Sequence, residues 1–324
     1  MSYVIGVDLG GTKIEIGIVD QTGKILKHMR LETDVKGGAE AVEKQIFEGI
    51  RYIQLETALP IDGIGIGVAG QIQPRTGIVQ FAPNLKWHHY PLGPHLATEL
   101  QLPIFIVNDV RAITWGEWLF GAGQGCQNLI CLFVGTGIGS GIILGNQMLI
   151  GCSNTCGEVG HMVIDFHGPV CTCGNHGCLE TFAGGWGIAA RAKEILKQNP
   201  TDIANATLLE MVKGNIEAMT ARLVIEAYHQ GDVIAQLVLQ RALQALTAGC
   251  VSLVNAFNPC RLILGGGILD GLPEWMPLIE QGIQQSALKA ALQSFAVVPA
   301  QLGKEVGVIG SAAVVFDQLK NKEK

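Results

Sequence analysis

Twice in this chain an apolar run breaks at a glycine-threonine turn and resumes as a second apolar run, with the same spacing in both copies. Gly11-Thr12, four residues and Gly17 in the first correspond to Gly135-Thr136, four residues and Gly141 in the second. Each copy reads as strand, glycine turn, strand, and each is followed by a short apolar run and a turn, at Asp20 and at Gly145-Asn146. Repetition of such a unit points to an internal duplication, one copy to each lobe. At 324 residues the chain also exceeds the commonest size of a single-core domain, so two bodies are expected.

Composition narrows the partners. A net charge of −6 without any Lys/Arg cluster argues against a nucleic-acid partner, because that binding rests on neutralising phosphates. No charge falls between Trp118 and Gly157, yet recurrent glycines and Asn128, Gln147 and Asn154 interrupt the stretch, so it reads as two buried strands and not as a membrane span. Met1 to Asp8 runs into a strand pattern without a basic leader, so a cytoplasmic location is expected. In that reducing compartment metal binding is a better use than disulfides for Cys171, Cys173 and Cys178; the other six cysteines read as small buried hydrophobes.

Helical spacing recurs over 42–55 and, in the second half, over 187–196, 207–212, 218–229 and 233–257; strands are expected at 63–68, 104–107 and 261–264. The lobe boundary falls near residue 115, and only Asn321 to Lys324 reads as a frayed tail. Two glycine patterns are misleading. Gly65-Ile-Gly-Val-Ala-Gly70 matches the dinucleotide fingerprint, but Pro74 follows where a helix is needed and the next acid is Glu99. Gly6 to Lys13 spaces two glycines like a P-loop but continues Thr-Lys in the wrong order.

What Asp8-Leu-Gly10-Gly11-Thr12 does offer is a turn whose backbone N–H groups can close on phosphate oxygens, with Asp8 placed to hold Mg²⁺ through water. The turn at Gly135-Thr136-Gly137 offers a second cradle, and Gly265-Gly266-Gly267 lets a nucleotide lie against the backbone. Asn108-Asp109 ends a strand, where Asp109 either takes a proton from an attacking hydroxyl in phosphoryl transfer or caps the following helix. Gly160-His161 and Cys171-Thr-Cys173-Gly-Asn-His-Gly-Cys178 supply one imidazole and three thiolates, a closed and therefore structural Zn²⁺ set, with His167 and His176 as alternative histidines. Glu158 and Glu180 flank the set and, like the loop amide Asn84, either accept from sugar hydroxyls or are plain surface groups. Trp87, His88 and His89 read as packing or rim residues.

These residues together make the chain resemble the ROK family of sugar kinases and repressors, within the actin-like, hexokinase-like ATPases. Asp8 to Lys13 is similar to the family's first phosphate motif, Gly135 to Gly139 to its second and Leu264 to Gly267 to its adenosine region, while Gly160-His161 and Cys171 to Glu180 match its cysteine signature. The resemblance implies an α/β, two-lobe actin-like (ribonuclease H-like) fold with a cleft between the lobes and a zinc-clamped loop. The small lobe would span 1–115 and be completed by a C-terminal helix at 308–324, and 116–307 would form the large lobe. The activity implied is ATP-dependent phosphorylation of a hexose, glucose to glucose 6-phosphate, with an N-acetylglucosamine or N-acetylmannosamine kinase as the alternative.

A sugar-sensing repressor is a further reading, disfavoured because the phosphate turn already starts at residue 8. The resemblance further implies Asp109 as base and hexose contacts from Gly70, Asn84, Asn108, Asp109, Glu158, His161 and Glu180. It assigns ATP and Mg²⁺ to Asp8, Gly10, Gly11, Thr12, Lys13, Gly135, Thr136, Gly137 and Gly265 to Gly267, Zn²⁺ to His161, Cys171, Cys173 and Cys178, and a homodimer to the assembly. One departure stands out: Arg111 occupies a position where many members carry Asn, close enough to tune the base or pair with phosphate.

Overall fold

The computed structural model describes residues 2–73, 75–198 and 207–322. The chain opens with β1 (Tyr3–Leu9) and β2 (Lys13–Asp20), an antiparallel hairpin around Gly10-Gly11-Thr12 that pairs Tyr3 with Asp20 and Leu9 with Ile14. β3 (Ile25–Glu32) continues the hairpin, and α1 (Ala39–Thr57) lays Val42, Ile46, Ile50 and Ile53 into the core at helical spacing. β4 (Ile64–Val68) joins parallel to β1, every residue buried, as a strand covered on both faces must be. A three-stranded sheet of β5 (Gln71–Ile72), β6 (Val79–Ala82) and β7 (Trp87–Tyr90) leads to α2 (Leu92–Leu100), β8 (Ile104–Asn108) and α3 (Asp109–Phe120).

The charge-free stretch then forms the end of α3, β9 (Leu129–Val134), β10 (Ile138–Leu144) and β11 (Gln147–Met148). Helices α4 (Leu179–Ala183), α5 (Gly185–Gln198), α6 (Thr207–Met211), α7 (Ala221–His229) and α8 (Val233–Phe257) follow, then β12 (Arg261–Gly265), α9 (Gly267–Gly271), α10 (Trp275–Ser286), β13 (Ala296–Pro299) and α11 (Val306–Lys322). α8 is long and apolar enough to cross a bilayer by length and composition, but Val238, Leu239, Leu246 and Leu253 are buried, as in a core helix. α11 stays helical through Lys322, two residues into the expected tail, because Gln318, Leu319 and Lys320 are good helix formers and no Gly or Pro stops them. Glu323 and Lys324 lie outside the described residues, as does Pro74.

The two large sheets share one topology. Their orders are β3-β2-β1-β4-β8 and β11-β10-β9-β12-β13, which is the same third-second-first-fourth-fifth sequence of strands in each half. In both, the glycine-threonine turn joins the first two strands and the fourth runs parallel to the first. The duplication read from the turns is thus carried by whole sheets. Mixed α/β structure in two compact units is the fold class expected. One unit comprises Met1–Gln127, Gly141–Cys156 and Ala300–Lys324, the other Asn128–Ser140 and Gly157–Pro299.

α11 explains the false dinucleotide fingerprint. A Cβ on Gly65 would sit 1.8 Å from the Ser311 carbonyl oxygen and one on Gly6 2.0 Å from that of Val308, so glycine lets the helix backbone rest on β1 and β4. The buried Ser311 hydroxyl accepts from the Gly67 N–H at 3.0 Å and lies 2.8 Å from the Val7 carbonyl. After β4 comes β5 and no helix, and Gly65 and Gly67 serve the packing of α11.

Candidate active site

In the first unit the polar groups gather where β1, β4 and β8 end. Asn108 closes β8 with extended backbone, and its side-chain oxygen accepts from the Arg111 N–H at 3.2 Å, so Asn108 is the N-cap of α3. Its amide nitrogen donates to the Gly70 carbonyl at 3.3 Å, which makes Gly70 a support for Asn108. Asp109 is then the first helical residue, and the capping alternative falls to its neighbour. Asn84, in the short turn Pro83–Leu85, lies with its backbone against Gly11 of the first glycine-threonine turn.

Asp8 ends up beside these groups, with Gly307 at the start of α11 packed on its carboxyl. Burial lifts its pKa from 3.8 to about 6; Lys13 opposes the rise, and the negative charges of Asp109 and Glu15 add to it. The two carboxylates are therefore close enough to feel each other. A buried carboxylate that holds its proton this tightly suits a divalent cation, whose charge would replace the proton. Lys13 itself donates to Glu15 at 2.8 Å.

A pH dependence follows. Because the folded pKa lies above the unfolded one, Asp8 stabilises the metal-free fold fully below about pH 4, and that contribution is lost as pH rises through about 6. At about 1.4 kcal/mol per pKa unit the loss amounts to about 3 kcal/mol. Asp8→Asn should make the metal-free protein more stable at pH 8 and flatten its stability between pH 4 and 7, read by urea denaturation; unchanged pH dependence would contradict the assignment.

Arg111 is held by the loop that follows β11. It is 4% exposed, and its guanidinium donates to the Asn154 side-chain oxygen and, at 2.7 Å, to the Cys156 carbonyl, while Asn154 donates to the Ile72 carbonyl at 2.8 Å. It anchors the loop that ends β11. Cys152, on that loop, is exposed, contrary to the buried role expected, because a run of turns leaves it outside any element; Cys156 and Cys260 are half-buried.

The second unit holds the other glycine-threonine turn. Gly135 N–H donates to the Gly137 carbonyl at 2.9 Å, and N–H groups of Gly185 and Trp186 donate to the Gly135 and Thr136 carbonyls. Gly135, Thr136, Trp186, Ala189, Gly267 and Ile268 line a cavity of about 970 Å³. Gly266, with φ of +102°, turns the chain from β12 into α9 at its edge. Lys193 and Arg222 also line it and are paired with Glu217 and Glu226.

The ligand atoms of His161, Cys171, Cys173 and Cys178 all lie within 4.8 Å of one another. Cys171 Sγ is 3.6 Å from His161 Nδ1, and Cys173 Sγ is 3.7 Å from Cys178 Sγ. A tetrahedral zinc with ordinary bond lengths has edges of about 3.6 Å from S to N and about 3.8 Å from S to S, so the donor set fits that ion. Nδ1 faces the sulfurs, which leaves Nε2 of His161 for another partner. Burial pushes the Cys178 thiol up to about 12, so its proton is surrendered only to something that replaces it. His167 and His176 are exposed and outside the set. Glu158 is exposed at the start of the turn bearing His161, whereas half-buried Glu180 accepts from the Ile138 N–H at 2.7 Å and from Trp186 Nε1 at 2.9 Å.

The ROK family profile matches residues 4–318. The glucokinase of Thermotoga maritima is 33% identical over 317 residues, 98% of each chain. The chain belongs to the ROK family. Among solved structures, a ROK family glucokinase from Streptomyces griseus in complex with glucose and AMPPNP superposes with a TM-score of 0.77 at 33% identity, over 97% of this chain and 99% of that one. A ROK hexokinase from Thermus thermophilus gives 0.83 at 28% identity over 98% and 99%. The family resemblance carried by the motifs is thus borne out along the chain. The motifs did not disclose Trp186, Ser311 or the Arg111–Asn154 clamp, whose roles depend on elements far apart in sequence.

Proposed function

We propose that this ROK protein transfers the γ-phosphoryl group of ATP to a hexose, glucose being the first choice. The observation that carries the reading is the pair of carboxylates beside the first phosphate turn, one of them, Asp109, at a strand end and relieved of capping by Asn108. Asp109 accepts the proton of the hexose hydroxyl as its oxygen forms the new bond to the γ-phosphorus and the bond to the β-phosphate oxygen breaks, leaving ADP. Gly70, Asn84, Asn108, Glu158, Glu180 and His161 Nε2 are assigned to the sugar. Asp8 would hold Mg²⁺, which when bound neutralises charge on the phosphates.

His161, Cys171, Cys173 and Cys178 would hold Zn²⁺ as a closed structural set. Gly10 to Lys13, Gly135 to Gly137 and Gly265 to Gly267 are assigned to ATP. A cytoplasmic homodimer completes the proposal. Coupled ADP-release assays over glucose, mannose, fructose, N-acetylglucosamine and N-acetylmannosamine, with ATP or polyphosphate as donor, test it. The expected result is the highest kcat/KM with glucose and ATP. Preference for an acetamido sugar would replace the substrate, and hexose binding without ADP release would favour a sensor over an enzyme.

A further inference from the structure

The metal-binding loop and the phosphate turn of the second unit are joined at two independent points. At one end of the loop, the Glu180 carboxylate takes the Ile138 N–H at 2.7 Å, and it lies so close to the turn that a Cβ on Gly137 would meet it at 2.4 Å. Glu180 is two residues beyond the donor Cys178, on the first turn of α4. At the other end, Gly160, beside the donor His161, lies against the same turn; a Cβ there would sit 2.5 Å from the Ile138 carbonyl oxygen. The second Glu180 oxygen takes the Trp186 Nε1–H at 2.9 Å, and Trp186 walls the cavity beside Gly135 and Thr136.

A carboxylate shared by two such donors is fixed in place, and it fixes both donors in turn. We propose that Glu180 is a positioning residue for the nucleotide: it ties the metal-binding loop to the phosphate turn and to Trp186, so that the state of the metal site sets the affinity for ATP. The proposal rests on the kinase reading and extends it, because a carboxylate assigned only to sugar would leave nucleotide binding alone. Glu180→Gln keeps size and one acceptor but must turn an amide N–H either toward Ile138 N–H or toward the indole. One of the two bonds is lost whichever way it turns.

The test is the Kd for AMPPNP with Mg²⁺, by calorimetry and without hexose, together with elemental analysis and steady-state kinetics. Glu180→Gln should keep its metal, bind AMPPNP about tenfold or more weakly, and raise KM for ATP more than it lowers kcat. Trp186→Phe should weaken binding in the same way, and the double variant should be no worse than the weaker single one, since both act through one contact. Chelated wild type should show the same loss, whereas Glu158→Gln should bind AMPPNP as wild type does. Unchanged AMPPNP affinity in Glu180→Gln, with only hexose affinity reduced, would overturn the proposal while leaving the kinase reading standing. Wild type that binds no nucleotide would overturn both.

Discussion

Asp109→Asn lowers kcat by about a thousandfold while glucose Kd stays within about tenfold, the outcome expected when a general base loses its basicity and keeps its shape. In free energy that is about 4 kcal/mol of transition-state stabilisation. The isosteric amide should be tolerated structurally, because the helix-capping bond belongs to Asn108 and the Asn108–Arg111 contact is untouched. Relief of repulsion on Asp8 should also let the Asp8 pKa fall from about 6, since Asp109 is one of the charges that raise it. Steady-state kinetics and calorimetry with glucose check the prediction. A fully active variant would remove Asp109 from the chemistry.

The second large effect concerns the metal. Structural zinc sites are worth about 10–16 kcal/mol of binding free energy, most of it realised as folding, so losing the ion should cost local structure outright. Cys173→Ser is the informative change, because this thiol is exposed and its loss removes little packing of its own. Elemental analysis should find about one zinc per wild-type chain and none in the variant, with a lowered Tm and new protease sensitivity between His161 and Cys178. Within that loop Gly177 holds φ of +64° and faces the Asp165 carbonyl so closely that a Cβ would lie 1.5 Å away, which leaves the loop little alternative geometry once the ion is bound. Metal-free wild type with unaltered Tm and activity would refute the clamp.

Much of this architecture was legible because its signals are local. The hairpin around Gly10-Gly11-Thr12 and its echo at Gly135-Thr136 announce strand, turn and strand within some twenty residues, and both sheets grow from them. Three cysteines within eight residues likewise bring their own ligands together. What stayed hidden depends on long-range approach. Gly65 and Gly67 resemble a nucleotide motif until α11, more than two hundred residues later, comes to rest on them.

Glu117, which no motif singles out, is fully buried and accepts from the N–H groups of Ala122, Gln301 and Leu302. Arg111 posed the same difficulty, because its partners are a side chain and a carbonyl more than forty residues away. Spacing along the chain can propose Asn108 and Asp109 as a site. Only the folded backbone divides their labour, giving the cap to one and leaving the other beside Asp8.

The most direct measurement is a crystal structure of the ternary complex with glucose, AMPPNP and Mg²⁺. An Asp109 oxygen is expected within about 2.6–3.2 Å of the hydroxyl that is to be phosphorylated. An Asp109 carboxylate beyond hydrogen-bond reach of every glucose hydroxyl, with another acid in that place, would contradict the assignment of the base.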